Sequence, residues 1–74
     1  MDTDNLIHMA NRIGEFFDAM PDRHEAVEGI AQHLRRYWDP RMRRELLAHV
    51  QQRQGEGLTP LVLDALRDPR TPLA

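Results

Sequence analysis

The side chains able to do acid–base or metal chemistry are four histidines and twelve carboxylates among 74 residues, with no cysteine. Thiolate zinc sites, iron–sulfur ligation, thiol catalysis and disulfides are therefore excluded. His8, His24, His33 and His49 include no pair three or four residues apart, the spacing that sets two imidazoles on one helix face around zinc. His24 near Glu28 and His33 among arginines read as solvated or rim residues, and His49 beside Val50 as half-buried. Glu25 with Glu28, or Asp18 with Asp22, would make an acid and a base only in a pocket that pushes their pKa values apart. Their spacing puts them on a polar helix face or at its ends. No Gly-x-Ser-x-Gly elbow or dinucleotide fingerprint occurs, and Gly55-Glu56-Gly57 follows a helical pattern and precedes a Thr-Pro start, unlike a phosphate loop. No catalytic, cofactor-binding or metal-ligating residue is assigned in this chain.

The chemistry that remains is recognition. Residues 34–44 hold five arginines (Arg35, Arg36, Arg41, Arg43 and Arg44) with Tyr37, Trp38 and Asp39, and Trp, Tyr and Arg are the residues that most often anchor protein interfaces. Net charge is only −2, yet residues 1–28 carry seven acids against two arginines while residues 29–54 carry six arginines against two acids. All ten cations are arginine, the one suited to bidentate pairing with carboxylates. Three readings compete. Trp38 could fill the core while the arginines form a solvated face paired with Glu45, Asp39 or the acidic first helix. The arginines of segment 35–53 could contact phosphate with Tyr37 stacking on bases, as in a free-standing nucleic-acid-binding module; the acidic flanks and lack of lysine argue against it. Finally, Arg35, Arg36, Tyr37, Trp38, Asp39, Arg41, Arg43 and Arg44 could dock on a larger acidic protein.

The elements that would position this corner are all helical. Leu6, Ala10, Ile13, Phe17 and Met20 recur at steps of four and three, an apolar stripe that predicts a helix over about 4–19, with Asp2 and Asp4 at its positive end. After Pro21, Asp22 is an N-cap with Glu25 in capping-box position, and Val27, Ile30, Ala31, Leu34 and Trp38 extend a second helix over about 23–38. Asp39-Pro40 reads as N-cap and first helical residue of a third, 40–54, with Met42, Leu46, Leu47 and Val50 inward and Gly55 ending it in the left-handed region. Thr59-Pro60 repeats that start for a short fourth helix, 60–67, with a loose tail over 68–74. Gly14 and Gly29 fall inside helices at a propensity cost of about 1 kcal/mol each; at Gly14 a close helix crossing, a partner's backbone and a merely tolerated weak spot are the open readings.

The expected architecture is thus all-α, a single small domain over 1–74 built as a bundle of three main helices plus a short C-terminal one. A core this small rarely supplies more than about 3–5 kcal/mol, so a chain of this length normally recruits a staple or a partner. Self-pairing of the isolated chain stays open on the same ground. No apolar run is long enough to span a bilayer, and the acidic N-terminus lacks a signal-peptide pattern, so a cytoplasmic location is expected.

The stretch from Gly29 to Arg43, with its Trp38-Asp39-Pro40-Arg41-Met42 centre, followed by Leu46-Leu47-Ala48-His49-Val50, resembles the delta subunit of NAD-dependent formate dehydrogenases. The likeness extends upstream through Leu6 to Gly14 with Phe16-Phe17, and downstream through Gly55 to Leu58, Pro60 to Val62 and Ala65-Leu66. It implies an accessory, non-catalytic subunit of a soluble complex that oxidises formate and passes electrons through iron–sulfur clusters and flavin to NAD. The molybdenum or tungsten pterin and the other cofactors would belong to the other subunits. This chain would associate with the large catalytic subunit and support its assembly, cofactor maturation or stability.

Overall fold

The computed structural model describes residues 2–68. They form four helices, α1 (Thr3–Asp18), α2 (Arg23–Tyr37), α3 (Pro40–Arg53) and α4 (Pro60–Arg67), with no strand among the described residues. The expected tail lies outside them except for Asp68.

Each helix starts where a side chain or proline replaces a missing backbone partner. Asp2 accepts from the Asp4 N–H, Asp22 from the His24 N–H, and Asp39 from the Met42 N–H ahead of Pro40. These bonds satisfy donors that the first turn of a helix leaves open. Two start signals are realised only in part. Glu25 makes no return bond to complete the capping box among the described residues, and Thr59 has the extended N-cap backbone without a side-chain cap bond. Asn11 on α1 serves that corner instead, accepting from the Thr59 N–H at 3.0 Å and donating to the Gly57 carbonyl at 2.9 Å.

α2 and α3, joined directly at Trp38–Asp39, scarcely touch each other; each packs on α1 and α4. The short α4 therefore fills the interior. Leu61, Val62 and Ala65 are buried, and Val62 joins Ile30, Leu34 and Leu46 among the fully buried large side chains. α1 makes room for it at Gly14, where an added Cβ would lie 2.6 Å from a Val62 methyl. Of the readings open at Gly14, the close crossing holds, and it is the α1–α4 contact. At Gly29 the neighbour is the Phe17 ring, 2.5 Å from where a Cβ would stand.

One expectation is corrected and one refined. The stripe on α1 does not stay on the core to its end: Leu6, Ala10 and Gly14 are buried, Ile13 and Phe17 are half-buried against the core, and Met20 is exposed. The reason is that α1 stops at Asp18 with Ala19 as C-cap, so Met20 falls in the turn and not on the helical face. The left-handed end of α3 begins one residue early, at Gln54 (φ +59°), and continues through Gly55 (φ +72°). Gly55 is buried where any side chain would strike Leu63, so the αL step is carried across both residues.

Candidate functional site

Trp38 decides the geometry of the arginine corner. It is the C-cap of α2, in extended conformation, with its N–H donating to the Leu34 carbonyl at 3.0 Å. Its side chain lies in the core, 6% accessible. The indole thus takes the core position among the readings open from sequence. Asp39 is occupied as the N-cap of α3.

Arg43 is drawn inward. Its Nη1 donates to the Arg35 carbonyl at 2.6 Å, one of the carbonyls that the last turn of α2 leaves without a partner. The side chain is half-buried and its Nε is buried with no partner. Arg43 therefore ties the start of α3 to the end of α2 and fixes the angle of the corner.

The remaining four arginines, Arg35, Arg36, Arg41 and Arg44, are exposed. Among the described residues none makes an ion pair; the pairs present are Arg23 with Asp64 at 2.6 Å and His24 with Glu28 at 3.2 Å. Glu45, one of the carboxylates that would neutralise the corner, accepts instead from the Thr3 hydroxyl at 2.8 Å. The helix dipoles separate the four. Arg35 and Arg36 stand in the last turn of α2, where a cation is stabilised by the helix itself. Arg41 stands in the first turn of α3, at the positive end of its dipole and two residues from the Asp39 carboxylate that caps it. The helix dipole therefore favours the first pair and gives Arg41 no comparable support.

Tyr37, 66% exposed, links the corner to a second feature that the sequence reading missed. The Arg36 guanidinium lies 5.7 Å from the Tyr37 ring centre, and Tyr37 is 4.8 Å from the His33 ring. His33 is 6.3 Å from Phe17, and Phe17 meets Phe16 edge-on at 5.1 Å. Phe16 is 74% exposed, with Met9 and Met20 also open to solvent. The signal was present: adjacent Phe16 and Phe17 stand 100° apart on a helix and cannot share one face. Met9, Ile13 and Phe16 also repeat at four and three.

The other histidines carry no site. His24 pairs with Glu28 across one turn, and His49 hydrogen-bonds to the Glu56 carbonyl at 2.7 Å, holding the α3–α4 loop. Among the described residues no three histidines or carboxylates are grouped to hold a metal, and no helix is long and apolar enough to cross a membrane. The arrangement as a whole is equipped for binding by charge and apolar contact.

Comparison with known families agrees with the resemblance. A family model described as NADH-dependent formate dehydrogenase delta subunit FdsD matches residues 5–66. No curated protein and no solved structure matches the chain. The match runs from the first turn of α1 to the penultimate residue of α4, and the chain belongs to the FdsD family of formate dehydrogenase delta subunits.

Proposed function

We propose that the chain is a non-catalytic subunit that docks by its arginine corner on an acidic surface of the large catalytic subunit of formate dehydrogenase. There it supports assembly, cofactor maturation or stability of the complex. The observation that carries this reading is that Arg35, Arg36, Arg41 and Arg44 are all exposed and none makes an ion pair among the described residues. Carboxylates of a partner would supply the missing counter-charges, and arginine forks pair with them bidentately. Arg43 and Trp38 hold the backbone of the corner, so the ordering left for binding is that of the exposed arginine side chains.

In this reading the molybdenum or tungsten pterin, iron–sulfur clusters, flavin and NAD reside on other subunits. Absence of cysteine supports this, since clusters require thiolate ligands. Binding stabilises the large subunit by mass action, in proportion to how far the concentration of this chain exceeds its dissociation constant.

The test is to assemble the complex in cells with Arg35, Arg36, Arg41 and Arg44 changed to Glu. The expected result is loss of this chain from the purified complex and a lower yield of active formate-oxidising enzyme. Unchanged co-purification together with unchanged formate oxidation would remove the docking role. A holo-complex that contains the native chain stoichiometrically favours a structural role over a transient maturation aid.

A further inference from the structure

Between α1 and α2 an apolar strip lies outside the core. Met9 and Phe16 open to solvent on α1, Ile13 and Phe17 are half-buried beside them, and His33 and Tyr37 continue the strip on α2. Part of it is a depression of about 350 Å³ lined by Ile13, Phe16, Phe17 and His33, with Arg12 at its edge. An exposed phenylalanine beside an apolar hollow marks an interaction surface more than a packing defect.

We infer that this strip is a second docking surface, and that its occupant is an apolar segment bordered by carboxylates on the same large subunit. The inference rests on the docking reading above and extends it to a different face. Charge complementarity selects the occupant. Arg12 at the edge of the hollow and Arg36 at the Tyr37 end are both exposed, and neither has a carboxylate partner among the described residues. A segment with an apolar face and acidic flanks satisfies floor and rim together. A second copy of this chain fits less well, because a two-fold contact sets a patch against itself and brings the arginine rims towards each other. The strip also runs without interruption into the arginine corner through Tyr37 and Arg36, so one partner surface can engage both.

The experiment places the photo-crosslinker p-benzoylphenylalanine at position 16 in the assembled complex and identifies the crosslinked peptide by mass spectrometry. The expected product joins position 16 to a large-subunit peptide in which Asp or Glu flanks apolar residues. A crosslink to a second copy of this chain, or to no protein, overturns the inference. In parallel, Phe16→Ser combined with Met9→Ser is expected to leave helicity intact and reduce retention in the complex roughly tenfold, the scale of an interface anchor. If that variant is retained while the four-arginine reversal is lost, the strip fails and the corner stands. If both variants are retained, the docking reading fails with it.

Discussion

At the scale of single residues, two helical glycines have the same sequence signature and different structural positions. A Cβ at Gly14 would meet a methyl of Val62, a short branched side chain with no accessible surface. Val62 cannot swing aside without moving α4. At Gly29 the obstacle is the ring of half-buried Phe17, which can rotate outward. Alanine recovers about 1 kcal/mol of helix propensity at either site, whereas overpacking a filled core costs about 1–3 kcal/mol. Gly14→Ala is therefore expected to lower the midpoint of thermal unfolding by several degrees, and Gly29→Ala to lower it less. Calorimetry of the isolated chain compares the two; a rise for Gly14→Ala would show that the α1–α4 crossing has slack. Trp38 and Arg43 show at the same scale how one short segment is divided. The indole and one guanidinium build the corner, and the other four guanidinium groups are presented by it.

At the scale of elements, the α3–α4 connection holds the clearest local conflict. Gln54 takes a left-handed conformation, which costs a side-chain-bearing residue roughly 1–2 kcal/mol and glycine nearly nothing. Gln54 is exposed, and its backbone N–H bonds to the His49 carbonyl, a contact that does not need its side chain. Gln54→Gly is expected to stabilise the chain by about 1 kcal/mol after the added backbone entropy of the unfolded state is deducted. A lower midpoint in urea would show that the conformation at Gln54 carries no strain. The helix starts were readable because caps are local: Asp22, Asp39 and the two Xaa-Pro pairs act within three residues of themselves. The helix ends were less so. The end of α1 at Asp18 put Met20 in a turn, whereas the stripe through Phe17 already left Phe16 on the other side of the helix.

At the scale of the whole molecule, the proposed docking role predicts that stability of the free chain and affinity for a partner pull in opposite directions at the corner. Replacing Arg41 by Glu puts an anion at the positive end of α3, and is expected to stabilise the isolated chain by about 1 kcal/mol at low ionic strength. The same change removes a cation from the proposed docking surface and is expected to weaken retention in the complex. Unfolding of the free chain and co-purification measured on the same variant should therefore move in opposite senses. If both fall together, Arg41 is a structural residue and the corner is not organised for a partner. The thermal gain should shrink as salt is added, since the dipole term is screened.

The sequence by itself determined an all-helical chain, the starts of its helices, the concentration of arginine at one helix–helix corner and, through the Trp-Asp-Pro-Arg-Met string, the family. These follow from periodicity, capping chemistry and residue identity, which are local. Tertiary structure alone decided that Trp38 points inward and that Arg43 is bound to the Arg35 carbonyl while its neighbours are exposed. It also decided that Gly14 exists to admit Val62. Each of those outcomes depends on which helix lies against which, and in a bundle where the adjacent α2 and α3 avoid each other in favour of α1 and α4, chain order does not reveal it.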